Sequence, residues 1–281
     1  MVVKMLAEGC GIRAIGRLTG LNKNTVLNIL ETAGQHCQQL LEDKVKNICA
    51  KFVSIDEIFG FVGCLQQNTV KMDSMRGDQY GFLAVDQDSK LIIHWHVGKR
   101  TGMDASEFLR GLKPKMVGRF QLTSDQFKGY CAPGASVATV FGGEIDYGFE
   151  YKVMAKEPIL TPARALRPNP RKVIVCKRIA VSGKPVRDRM TTNISERCNL
   201  SVRLFNRRFT RKTLGYSKSL TNHKMAMALQ VAYFNFCRTH SAVKIKATET
   251  EPAKERTPAM AQGLTDHVWT AEELLNLRVI P

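Results

Sequence analysis

The chain has 281 residues, 44% of them hydrophobic, enough to bury a sizeable core in one large domain with an appendage or in two domains. Its 42 lysines and arginines against 25 acids give a formal charge of +17, an excess that points to a polyanionic partner, nucleic acid ahead of an anionic membrane surface. No apolar run approaches the roughly 20 residues that span a bilayer, and the short apolar stretch before Glu8 lacks signal-peptide architecture, so the expected location is the cytoplasm, at the nucleoid, with no membrane partner.

Residues 8–33, EGCGIRAIGRLTGLNKNTVLNILETA, carry the pattern of a helix-turn-helix. Its first helix is predicted over residues 12–18, with Ile12, Ile15 and Leu18 facing inward. Gly20 and Leu21 form the turn, and Asn22 caps a second helix that holds Val26, Ile29 and Leu30. Lys23, Asn24, Thr25 and Asn28 then face outward at the start of that helix, as residues able to reach base edges and phosphates of double-stranded DNA. The preceding helix that normally completes such a module would fall on residues 2–7, which is short for that role; the module is assigned to residues 1–34. Residues 35–49, polar and helical in character, are expected to connect it to the next domain.

From residue 50 the character changes to strands. AKFVSIDEIFGFVG is rich in β-branched and aromatic residues, with Phe52, Ser54, Asp56 and Ile58 on one face and Val53, Ile55, Glu57 and Phe59 on the other. Residues 80–99 follow as two strands about a turn at 87–89, which makes a three-strand antiparallel meander. A helix is predicted over residues 105–112 with Asp104 as its cap. A short strand over 120–123 then leads into Asp125, a place where a rigid scaffold presents an open end. Residues 131–190 are expected to form a basic loop insertion touching nucleic acid, with 172–178 a candidate strand.

Residues 192–218, TNISERCNLSVRLFNRRFTRKTLGYSK, set Glu196 as the single carboxylate among many arginines and lysines. On a helix, Glu196, Asn199 and Arg203 share a face that Arg207 roughly extends, able to hold a cation beside a polyanion. The helix breaks at 214–217 before a second one over 220–238, whose Met225, Met227, Ala228, Leu229, Ala232, Tyr233 and Phe236 form an apolar stripe. Residues 241–281 read as an accessory extension. The eight cysteines are scattered without a C-x-x-C pair, which argues against a zinc site and a disulfide framework and for reduced, mostly buried side chains.

Asp56 within the first strand, Asp125 after the fourth and Glu196 on a late helix have the residue type and placement of a two-metal site for phosphodiester chemistry. Hard divalent cations take oxygen ligands, and such a site needs several carboxylates converging on ions roughly 3.5–4 Å apart. Glu57 points to the opposite sheet face and is assigned a salt bridge. Asp86 and Asp188 are rival ligands. His94 and His96 flank Trp95 on one face, read as ordinary sheet-surface histidines.

IDEIFGFVG, LTSDQFKGY and NISERCNLSVRLFNRRFTRKTLGYSKS together resemble the DDE transposases of bacterial insertion sequences, in particular the family typified by insertion sequence one. The last segment matches that family's E-R-x-N-x-x-x-R helix and the following R-K-[ST]-x-x-[FY]-S-K. The resemblance covers roughly residues 8–240. It implies a ribonuclease-H-like α/β domain over residues 50–240 behind the helix-turn-helix module. It also implies Asp56, Asp125 and Glu196 as catalytic ligands of two magnesium or manganese ions, and Asn199, Arg203, Arg211, Lys212, Ser217 and Lys218 as DNA-holding residues. The implied activity is metal-dependent DNA cleavage and strand transfer on element ends and target DNA, by a homo-oligomer. Phe59 stands where the family often has tryptophan, and the family's cysteine-rich zinc-binding segment has no counterpart ahead of residue 8. The alternative expectation is a non-catalytic DNA-binding regulator derived from such an enzyme.

Overall fold

The computed structural model describes residues 1–69, 73, 75–131, 136–156, 171–210, 213–247 and 252–276. Six strands, β1 (Phe52–Val62), β2 (Gly77–Asp86), β3 (Ile92–Gly98), β4 (Gln121–Ser124), β5 (Asp146–Lys156) and β6 (Arg171–Ser182), form one mixed sheet in the order β3-β2-β1-β4-β5-β6. The first three make the expected antiparallel meander. β4 then lies parallel to β1, β5 lies parallel to β4, and β6 returns antiparallel. Parallel neighbours need crossovers, and α4 (Gly102–Leu112) supplies the one from β3 to β4, with α5 (Val137–Phe141) in the one from β4 to β5. The N-cap of α4 is Thr101, not Asp104: the Asp104 N–H donates to Thr101 Oγ1 at 3.2 Å, and the Asp104 carboxylate sits in the positively polarised first turn.

Helices cover both faces. Phe82, paired across the ladder with Glu57, packs on Phe108 of α4 at 5.6 Å between ring centroids, so Glu57 and Phe59 share the α4 side. On the other side lie α6 (Asn193–Phe205) and α7 (Leu220–Phe236). Gly81, paired with Ile58, approaches so closely that a Cβ would lie 2.5 Å from the Met227 methyl of α7. That places Asp56, Ile58 and Gly60 beneath α6 and α7. Buried on nearly every face rather than along one stripe, α7 also uses the Asn235 carboxamide to accept from the Ile92 N–H (3.0 Å) and donate to the Ile92 carbonyl (2.9 Å) on β3.

The N-terminal segment holds α1 (Val2–Ala7), α2 (Ile12–Thr19) and α3 (Lys23–Lys44), with Gly20 at φ 73° between the last two and the Asn22 side chain accepting from the Asn24 N–H. Leu18 is 67% exposed instead of inward, because the packing of this short helix centres on Ile15. The expected connector is also corrected. The second helix runs on unbroken to Lys44 and crosses α7 at Gly34, where a Cβ would lie 2.5 Å from Met225 Cβ. Buried residues of α1, α2 and α3 therefore join one continuous core with the sheet and α7.

Two further expectations change. The segment 131–190 is not a loop insertion: it contributes α5, β5 and β6, because the edge of β4 is available for parallel pairing; residues 157–170 of its proline-rich run lie outside the described residues. The C-terminal extension is built into the core, with α8 (Pro258–Ala261) and α9 (Ala271–Asn276) against α7, Leu274 fully buried and Trp269 stacked on Phe236 at 4.4 Å. All eight cysteines are free, but only Cys37 and Cys198 are buried, while Cys49, Cys131 and Cys176 are exposed. Among the described residues, no helix is long and apolar enough to cross a membrane.

Candidate active site

β1 pairs with β2 from Val53 to its end at Val62, but with β4 only over Phe52–Ser54, because β4 ends at Ser124. Where the two parallel strands part, Asp56 lies on β1 and Asp125 follows β4 immediately. This is the carboxyl end of a parallel pair, the place where open α/β sheets hold ligands. Asp56 and Glu57 leave β1 towards opposite faces. Even so, Asp56, Glu57 and Asp125 each bring a carboxylate oxygen within 4.8 Å of the other two.

Each acid is separately held. Asp56 Oδ1 accepts from the Glu57 N–H at 2.9 Å, and its Oδ2 accepts from Asn199 Nδ2 of α6 at 2.8 Å. Glu57, with a side chain only 2% exposed, accepts from Arg100 Nε at 3.1 Å and from the hydroxyl of fully buried Tyr130. The expected salt bridge of Glu57 thus exists, with Arg100 as partner. Asp125 Oδ1 caps the following turn by accepting from the Phe127 N–H at 2.9 Å, and its Oδ2 lies 3.5 Å from Arg100. Arg100 stands 4.4 Å above the Phe127 ring, which fixes the guanidinium between the two acids.

The electrostatics follow from this crowding. Burial first, then the neighbouring Asp125 carboxylate, raises Asp56 to about 7 and Glu57 to about 8. Burial also raises Asp125, against the pull of the Phe127 N–H and Arg100. Three acids packed closely with one guanidinium among them resist ionising together, and a hard divalent cation taking oxygen ligands would relieve that repulsion.

Glu196 is not in that group. Its Oε1 accepts from Lys152 Nζ and from Thr192 Oγ1, both at 2.8 Å. A cleft of about 690 Å³ has Asp125 and Arg100 on one wall and Glu196, Lys152 and buried Glu150 on the other. Although burial alone would raise Glu150, the Thr192 N–H, Cys176 and Lys152 hold it down to about 2. Lys152 therefore bridges two carboxylates, 3.1 Å from Glu150 and 2.8 Å from Glu196.

The expected DNA contacts divide. Asn199 is buried against Asp56, and Arg203 follows one turn later on the same helix. Lys23, Asn24, Thr25 and Asn28 are all exposed. Lys23 and Asn24 line a groove of about 780 Å³ together with Arg207 and Lys218, so the start of α3 and the link between α6 and α7 face one space. Ser217 borders it, but its buried hydroxyl is bonded to His223 Nδ1 at 2.8 Å and braces the link instead of facing a ligand. Arg211 and Lys212 lie outside the described residues.

The rival acids have other work. Asp86 accepts from the Ser89 N–H and hydroxyl in the β2–β3 turn, and Asp188 is almost fully exposed, 3.9 Å from Arg178. His94 stacks on Phe108, and burial lowers it to about 3. His96 instead lies 3.3 Å from Asp104, near Glu107, so its carboxylate neighbours come from α4.

Glu57 and Arg100 were the residues of the acid cluster that sequence reasoning did not select. Adjacency to Asp56 was the only signal for Glu57, and Arg100, 43 residues from it in the chain, had none. No protein-family model matches the chain, and no curated protein matches it.

Proposed function

We propose that the protein is a DDE-type transposase, with a ribonuclease-H-like catalytic domain and a helix-turn-helix face, that cuts and rejoins DNA with magnesium or manganese ions. The observation that carries this reading is the meeting of Asp56 and Asp125 at the parted ends of a parallel strand pair, in a chain of charge +17. A DNA strand is the polyanion whose chemistry uses both features.

In this reading Asp56, Asp125 and Glu196 hold two ions, and Glu57 adds a fourth carboxylate beside the first two. When bound, the ions make an attacking oxygen nucleophilic and stabilise the leaving one. Asn199 keeps Asp56 oriented by donating to Oδ2, and Arg100 holds Glu57 and Asp125 in register. The attacker would be the oxygen of water or of a DNA hydroxyl, in line with the departing DNA oxygen, so no side chain becomes covalently attached. Arg203, Arg207 and Lys218 grip phosphates, and the exposed Lys23, Asn24, Thr25 and Asn28 meet duplex DNA.

Asp56→Asn, Asp125→Asn and Glu196→Gln are each expected to reduce magnesium-dependent strand cleavage to background while DNA binding, measured by gel shift, persists. Parental cleavage rates in all three variants would overturn the assignment. A second reading, DNA binding without catalysis by a regulator derived from such an enzyme, is favoured by one observation: Glu196 is engaged by Lys152 and Thr192 and lies outside the close group of Asp56, Glu57 and Asp125. That reading predicts sequence-specific binding with no nicking at any magnesium concentration.

A further inference from the structure

A second cleft, of about 760 Å³, opens from the acids along β1. Beyond Ser54 the strand has lost β4, so one of its edges faces this cleft until Val62, where a bridge to Ser217 closes the far end. Half-buried aromatic rings line it. Phe59 lies 5.5 Å from Tyr80, edge to face, and Phe61 is stacked at 4.7 Å on Tyr216 behind it.

Arg208 enters the same cleft from the link after α6. Its Nε is buried without a hydrogen-bond partner, and its guanidinium has no ion-pair partner among the described residues. Burial lowers it to about 10, still charged at neutral pH. A cation without an ion-pair partner among the described residues, in a cleft also lined by aromatic rings, suits a nucleotide, which brings both a ring to stack and a phosphate to pair. The volume falls in the range of pockets that enclose a small ligand, about 300–1,000 Å³, and admits no double helix.

We propose that this cleft is a subsite for an unpaired nucleotide next to the reacting phosphodiester, its base against Phe59, Phe61 and Tyr80 and its phosphate on Arg208. The proposal rests on the nucleic-acid reading of the neighbouring acids and adds to it the form of the substrate: a frayed or single-stranded end, bound by stacking that is indifferent to base identity.

The test is equilibrium binding of the full chain, with calcium in place of magnesium, to a blunt duplex and to the same duplex carrying a short 3′ or 5′ single-stranded tail with 2-aminopurine. The expected result is tailed DNA bound roughly five-fold or more tightly than blunt DNA, with quenched fluorescence as the base stacks. Phe61→Leu and Arg208→Gln should each remove most of that preference. Arg208→Gln removes a guanidinium with no ion-pair partner among the described residues and so keeps the test valid if the core variant melts early. Equal affinity for blunt and tailed DNA by a parent that cleaves DNA would overturn the subsite while leaving the enzymatic reading standing. Preference unchanged in both variants would also overturn it, and failure to bind or cleave any DNA would overturn both.

Discussion

Glu57 lies at the centre of the acid cluster although strand alternation turns it away from Asp56. Its carboxylate reaches the others because the open edge of β1 leaves space for both side chains to approach Asp125. Crowding has a measurable consequence in the metal-free protein. Asp56 and Glu57, raised to about 7 and about 8, stay protonated in the folded chain at pH values where the unfolded chain has released those protons. The stability this linkage contributes is full below the ordinary carboxylate range and is lost as pH rises through about 7 to 8. Thermal melts without metal should therefore fall in midpoint between about pH 5 and about pH 8.5, and magnesium should restore more at the upper end. Glu57→Gln should raise the metal-free midpoint at pH 8 by removing one repelling charge, and should weaken magnesium binding in calorimetry about ten-fold or more. Unchanged magnesium affinity would remove Glu57 from the proposed metal site.

Among the elements, the lengths of β4 and α3 matter most. β4 spans only four residues, Gln121–Ser124, and its early end separates the parallel pair and exposes Asp125. The sequence signalled this end, since LTSD passes directly into a turn-forming run. α3 was legible at its capped start and not at its end, because the polar pattern after Gly34 looks like a linker when its partner is unknown. That partner is α7, and Gly34 is the point of closest approach. Gly34→Val should destabilise the whole protein by roughly 1–3 kcal/mol through overpacking, read as a lower urea midpoint. An unchanged midpoint would mean that the crossing is looser than the structure has it.

At the scale of the whole molecule, the groove that gathers Lys23 and Asn24 with Arg207 and Lys218 joins the N-terminal helices and the link between α6 and α7 into one basic face. If one DNA spans both, affinity falls with salt at a log–log slope of about −0.9 per phosphate contacted. Lys23→Gln and Lys218→Gln should each reduce that slope by about 1. A slope unchanged in either variant would separate that part of the face from the DNA.

The sequence by itself determined the meander strands, the helix starts and the open placement of Asp125, because helix caps, strand alternation and turn residues act between near neighbours. It also determined the excess of positive charge. Only the tertiary structure decided which acids meet: Arg100 and Tyr130 reach Glu57 from 43 and 73 residues away, Lys152 takes Glu196 aside, and the segment expected to be a loop completes the sheet. Those outcomes depend on which edges remain unpaired and which distant side chains then meet, and no local pattern in the chain encodes those partners.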